Sequence, residues 1–251
     1  MAWVESTSRS FRARHDSNHA DDVDRVLYSL EQTREYLGQY FPDTPAGLSV
    51  VFHPSVASLV IARPLLPLAW LFSAPAARRY VAGWSGPHEL HVLLPDALEA
   101  RASTVPGSRE MLARAVPALY ARRVIVENNR DLPRRVTPRR LRAELRWAWL
   151  IEGAARWFGG QTAYARPAIA RRLREGRRPS FPPGVRDAAL LGGTVIDLLV
   201  SERGEQAAAN LASRLHPHGP RGALREAFRG RATPEVEQAW RAHLARLSAA
   251  A

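Results

Sequence analysis

The sequence predicts an α+β fold: a small N-terminal sheet with an edge strand over a cleft, followed by a mostly helical C-terminal part. Two observations carry this. The segments with strand character, Ser10–His15, Leu48–His53 and His88–Leu94, all lie in the first hundred residues, and past Pro106 every periodic segment is helical. Strands early and helices late read as α+β rather than as alternating βα units. The parts divide as residues 1–105 and 106–251, within one compact domain over 10–248.

Taken in order, Ser10–His15 alternates and predicts a first strand. Asp21 and Asp22 open a helix, their carboxylates suited to its positive end. Val23, Val26, Leu27, Leu30, Tyr36, Leu37 and Tyr40 continue it at helical spacing to Phe41. Leu48–His53 is a strand stopped by Pro54. The apolar stretch from Val56 to Ala77 is broken by Arg63, Pro64, Pro67 and Pro75 into a loop or short helices. Gly83-Trp84-Ser85-Gly86 turns the chain into the strand His88–Leu94, which Pro95 ends. Ser108 is the expected N-cap of a helix to Asn129, and Thr137 of one from Pro138 to Phe158, closed by Gly159-Gly160. Further helices fit Tyr164–Glu175, Val185–Arg203, Glu205–Leu215, Arg221–Arg229 and Pro234–Ser248.

At 251 residues with 46% hydrophobic content the chain can bury a sizeable core. It has no cysteine, which excludes disulfides, thiolate metal sites and a cysteine nucleophile. The net charge is +12 and all 36 basic residues are arginine. The broken apolar stretch is unsuited to a regular spanning helix of ~20 residues, and no signal-peptide core is visible. A cytoplasmic protein without a membrane span follows, with a lipid-touching loop at Leu65–Phe72 as the alternative. What the segment 56–80 does is left open.

One helix stands apart. In Trp149-Leu150-Ile151-Glu152-Gly153-Ala154 a glutamate follows a Trp-Leu pair and precedes Gly-x-Ala, on an apolar helix ending in two glycines. This segment, with the element order around it and the tail Gly192–Leu199, Glu202-Arg203-Gly204, Ala223–Phe228 and Val236–Trp240, resembles the peptidase-MA-like (gluzincin-type) zinc metallopeptidases over nearly the whole chain. The resemblance implies a zincin-like fold, with Glu152 at the third metal-ligand position. The family's other ligands are two histidines at i and i+4 in H-E-x-x-H, whose glutamate is the general base on zinc-bound water. This chain has no H-E-x-x-H and no histidine between His91 and His216. On the helix Ser108–Asn129 the resemblance puts Val116, Pro117 and Tyr120 at the three positions, none of them able to serve. The site is therefore expected without metal and without catalytic residues. Val116 and Tyr120 are expected to face Glu152, whose carboxylate accepts from the Tyr120 hydroxyl or pairs with an arginine, Arg156 at i+4 being one choice.

His88-Glu89-Leu90-His91 is one residue short of the zinc motif. On a strand, His88 and His91 point to opposite faces, leaving Glu89 and His91 on the open face of the edge strand. With Trp149 they are the expected cleft-lining residues. His216-Pro217-His218 reads as a proline-rich loop. No phosphate loop or nucleophile elbow is present.

Three functions remain open. The first is a non-catalytic metallopeptidase-like protein, without cofactor, that holds a peptide or protein partner in its cleft. The second is nucleic-acid or polyanion binding through Arg134, Arg135, Arg139, Arg140, Arg142 and Arg146, and through Arg166, Arg171, Arg172, Arg174, Arg177 and Arg178. The third is a hydrolase of another mechanism, with Glu152, Glu89 and His91 as an acid–base set. Oligomeric state is not legible.

Overall fold

The structure, a computed structural model, describes residues 3–133 and 137–249. The N-terminal third builds a five-stranded mixed sheet from β1 (Trp3–Thr7), β2 (Phe11–Asp16), β3 (Leu48–His53), β4 (Gly83–Ser85) and β5 (Glu89–Leu93), in the order β1-β2-β3-β5-β4. β2, β3 and β5 are parallel; β1 and β4 run antiparallel at the two margins. In β2 the alternation is clean: Phe11, Ala13 and His15 are buried while Arg12 and Arg14 face out. β5 is paired on both edges, and its Leu90, Val92 and Leu93 are fully buried.

Two strands were not predicted. β1 is short and polar, and β4 is three residues read above as a turn. Their presence corrects the position of the predicted edge strand. Glu89–Leu93 lies inside the sheet between β3 and β4, and the margin belongs to β4.

α1 (Ala20–Leu37) crosses from β2 to β3 and buries Val23, Leu27, Leu30 and Leu37. Three short helices, α2 (Val56–Ala62), α3 (Leu66–Phe72) and α4 (Pro75–Arg78), occupy the proline-broken stretch. α5 (Pro95–Glu99) follows the sheet. The predicted helix over 108–129 is two helices, α6 (Ser108–Ala113) and α7 (Ala115–Asn128), parted at Arg114 (φ −86°, ψ 5°). Pro117 explains the break. Its ring would collide with the carbonyl of residue 113 in a continuous helix. Restarting at Ala115 puts it in a first turn, where no intrahelical N–H is needed. A proline in mid-helix would cost about 3 kcal/mol, and the break avoids it. Ser108 is the first helical residue rather than the cap; its hydroxyl receives the Ser103 N–H at 3.0 Å.

The next predicted helix also divides, at Trp147, into α8 (Pro138–Arg146) and α9 (Ala148–Phe158). Thr137 caps α8 as expected, accepting from the Arg140 N–H at 3.2 Å. Then follow α10 (Arg166–Arg174), α11 (Val185–Arg203), α12 (Glu205–Ala212), α13 (Gly219–Ala227) and α14 (Thr233–Ala249). A continuous hydrophobic cluster runs from Phe11 to Leu244. Among the described residues no helix is long and apolar enough to cross a membrane.

α9 is wedged between α7 and α11. A Cβ on Gly153 would stand 2.6 Å from the Gly192 carbonyl oxygen of α11, and one on Gly159 would stand 2.6 Å from the Ala118 nitrogen of α7. Both obstacles are backbone and cannot swing aside. Trp240 of α14 locks the far side, its indole N–H donating to Thr194 Oγ1 at 2.8 Å.

Gly153→Ala tests this packing by its sign. Helix propensity alone would favour alanine by about 1 kcal/mol. Overpacking against fixed backbone costs about 1–3 kcal/mol or more. The expected result in urea denaturation is a net loss of stability; a gain would place α9 and α11 further apart.

Candidate functional site

Glu152 leaves α9 on the side facing α7. It shares a small cavity with Ala115, Ala118, Leu119 and Arg122 of α7, with Tyr80, Ala82 and Gly83 beside β4, and with Arg156. The space is ≈ 10 Å³, about one water and no substrate. Arg122 Nε donates to Glu152 Oε1 at 2.7 Å, and its Nη2 reaches Glu144 Oε2 at 3.4 Å. Arg140 Nε completes the chain to Glu144 Oε1 at 2.8 Å. Burial acts to raise the Glu152 pKa, but Arg122 and Arg156 outweigh it and hold the carboxyl below its ordinary value. For Arg122, burial acts downward, and Glu152 and Glu144 prevail to raise it. Arg156, the i+4 choice, instead donates to the Tyr80 carbonyl at 2.8 Å and bonds Gln161 Oε1.

Glu152 therefore pairs with an arginine, but Val116, Pro117 and Tyr120 are not its neighbours. Tyr120 donates to the Pro45 carbonyl at 3.0 Å and sits edge-on to Phe11 at 5.1 Å, toward the sheet. Val116 and Pro117 line a separate groove of about 340 Å³ with Asp22, Arg25, Leu98 and Arg109. The expected placement of Val116, Pro117 and Tyr120 is out of phase with Glu152, because the first turns of α7 are buried on both sides and apolar periodicity does not say which face meets α9. The i, i+4 pairs that do face Glu152 are Ala115/Leu119 and Ala118/Arg122. Alanine and leucine offer no lone pair, and a guanidinium is itself a cation. A zinc ion does not fit this residue set. Among the described residues, no group of three or more His, Asp or Glu is placed to hold a metal.

The second cluster lies on the sheet. β5 puts Glu89 and His91 on one face, while His88, predicted as the first strand residue, lies exposed in the bend before the strand begins. His91 is buried, not open to a cleft, because the His53 ring stacks on it at 5.2 Å and Arg63 lies against it. Its Nδ1 contacts His53 Nε2 of β3 at 3.0 Å, a contact that needs a proton on one of the two nitrogens. Arg63 Nη2 bonds Glu89 Oε2 at 2.8 Å and also reaches His91 Nε2. Glu89 and His91 do not line the cavity of Glu152, so the three are not brought together as an acid–base set.

Trp149 is core as well. It is 1% exposed, stacks on Trp147 at 6.4 Å and lies where Gly192 of α11 meets its carbonyl. The arginine clusters are partly spent on carboxylates: Arg140 on Glu144, Arg171 on Glu175, and the buried Arg172 on Asp187 at 2.5 and 2.8 Å. Arg134 and Arg135 lie outside the described residues. Comparison with protein-family models, curated proteins and solved structures finds no match to this chain.

Sequence reasoning missed Arg122, Arg63 and His53. Arg122 carried a faint signal, a charge among apolar neighbours in mid-helix. The His53–His91 contact depends on strand order, which no local pattern contains.

The histidine pair predicts a pH dependence. Burial, with the neighbouring Arg63 and the mutual charge, holds His53 below the ordinary imidazole value; burial and Arg63 do the same for His91, with Glu89 opposing. The unfolded chain then binds protons first as pH falls below ~6.5. Stability is full above that value and declines below it until the folded rings titrate. The expected urea midpoint falls between pH 7 and 5, and His53→Gln/His91→Gln flattens that slope. An unchanged slope would mean the pair is not held neutral.

Proposed function

We propose that this chain is a cytoplasmic, non-catalytic protein of gluzincin-like architecture that binds a peptide or protein partner without cutting it. One observation carries the proposal: the Arg122 guanidinium spans the gap between α7 and α9 and is bound to Glu152. In a zinc peptidase of that type, the metal lies between a histidine helix and a glutamate helix. Here the chain supplies its own cation in the corresponding gap. Hydrolysis through bound metal has no ligands to start from, and the cavity at Glu152 admits no substrate.

The binding role rests on β4. It is the sheet's margin, three residues long, with no strand beyond it among the described residues. An extended segment can add to such a margin by backbone pairing. The neighbouring cavity is closed by Arg122 and Leu119, so a partner would lie on the outside of β4 rather than reach down to Glu152.

Metal analysis of protein purified without chelator tests this. The expected result is far less than one zinc per chain, with a melting temperature unchanged by a chelator or by added zinc. Mass spectrometry of a mixed peptide pool incubated with the protein should show no new cleavage products. A stoichiometric, chelator-resistant zinc, or cleavage lost on Glu152→Gln, would overturn the proposal.

A further inference from the structure

The segment left open by the sequence has a surface unlike the rest of the molecule. Ile61, Leu65, Leu68, Leu71 and Phe72 are 82%, 59%, 49%, 65% and 59% exposed, all within α2, α3 and their junction. The opposite sides of the same helices hold Leu59 and Leu66, which are fully buried. The two helices are thus anchored by one apolar face and present a second to solvent. A surface helix of a soluble fold normally turns polar residues outward, and a run of exposed apolar side chains marks an interaction site.

Within the segment itself the charge has one sign, and the carboxylate that reaches it is Glu89 of β5, bound to Arg63 at 2.8 Å. From Val56 to Val81 there is no aspartate or glutamate, and the charged residues are Arg63, Arg78 and Arg79. Arg101 joins them: it donates to the Arg79 carbonyl at 3.1 and 3.2 Å and lies over the Trp70 ring at 5.4 Å. The Ala74 N–H bonds the Arg186 carbonyl at 2.8 Å, which brings the exposed Val185 and Arg186 beside the end of α3. No ion pair to a carboxylate engages Arg78, Arg79, Arg101 or Arg186 among the described residues.

We propose that α2–α3 is a docking face for an anionic lipid bilayer, the apolar ridge entering the acyl boundary while the arginine rim meets lipid phosphates. Each helix has seven residues, about 10 Å, and lies on a membrane rather than across it. Charge complementarity selects this occupant. A second copy of the chain would bring two arginine rims together. A nucleic acid would meet the rim but find four aliphatic side chains where bases need flat surfaces to stack on. A bilayer takes aliphatic groups of any shape, and arginine forks suit its phosphates.

Flotation of the full chain with vesicles tests the proposal. Phosphatidylcholine vesicles are compared with phosphatidylcholine–phosphatidylglycerol vesicles at low and high salt. The expected result is binding to the anionic vesicles, at least about tenfold weaker on the neutral ones and in high salt. Leu68→Glu/Phe72→Glu, and separately Arg78→Glu/Arg79→Glu, should each lower anionic-vesicle binding about tenfold or more. Leu68 and Phe72 are well exposed, so their circular dichroism and melting curve should stay as in the parent, whereas Arg78 also donates to the Ser73 carbonyl at 3.0 Å and its variant is read only if the circular dichroism matches the parent; if a double variant misfolds, Leu71→Ser alone is read instead. No binding to anionic vesicles, equal binding to neutral ones, or variants that bind like the parent would overturn it. So would a dimer that the ridge substitutions dissolve in the absence of vesicle binding. Zinc content has no bearing on any of these outcomes.

Discussion

The backbone contacts of α9 set the rest of the site. Gly153 against Gly192 and Gly159 against Ala118 hold this helix at closest approach to α11 on one side and α7 on the other. With both contacts made, α9 has no freedom to rotate, and Glu152, one residue before Gly153, is aimed at α7. The same approach buries Trp149, Leu150, Ile151 and Phe158. A carboxylate fixed in such a place must find a positive partner or become protonated, since a lone buried charge costs several kcal/mol. The partner is Arg122, and Glu144 takes up the guanidinium's other edge.

The solution recurs through the molecule. Arg63 covers Glu89 and His91 on the sheet, and Arg172 forks onto Asp187 between α10 and the start of α11. Each arginine fills a place in which acidic or imidazole groups converge, so the chain's own cations satisfy them. An arginine fork suits this because it binds two acceptors at once and does not lose its proton. It also accounts for part of the high arginine content without a polyanion. Arg78, Arg79 and Arg101 around α3 differ, since among the described residues no carboxylate pairs with them, and that contrast sets the apolar ridge apart from the interior networks.

Much of the fold was legible because long periodic segments declare themselves. α11 begins and ends at the predicted Val185 and Arg203, and β3 at Leu48 and His53. β1 and β4 were not legible, being too short and polar for a period of two to stand out. The break at Arg114 was written in Pro117, yet the apolar period carried the predicted helix straight through it from Ser108 to Asn129. Trp147 carries no breaker; the chain turns there as α9 takes its place between α7 and α11. At the site, Glu152 pairs with an arginine, one of the two partners expected for it, while the other, the Tyr120 hydroxyl, is turned to the Pro45 carbonyl. Which arginine was not legible, because Ala115, Val116, Ala118, Tyr120 and Ala121 are all buried and the first two turns of α7 carry no charged side chain to set their phase.

A double-mutant cycle between Arg122 and Glu152 tests the account most directly. Arg122→Met, Glu152→Gln and the pair together would be compared by urea denaturation at pH 7. The two side chains are 21% and 28% exposed. Their coupling should therefore lie between that of a surface pair and a buried one, about 1–2 kcal/mol. Arg122→Met should be less stable than the double variant, since it leaves the carboxylate alone. Coupling of zero, or Arg122→Met no less stable than the double variant, would contradict the claim that this ion pair closes the junction of α7 and α9.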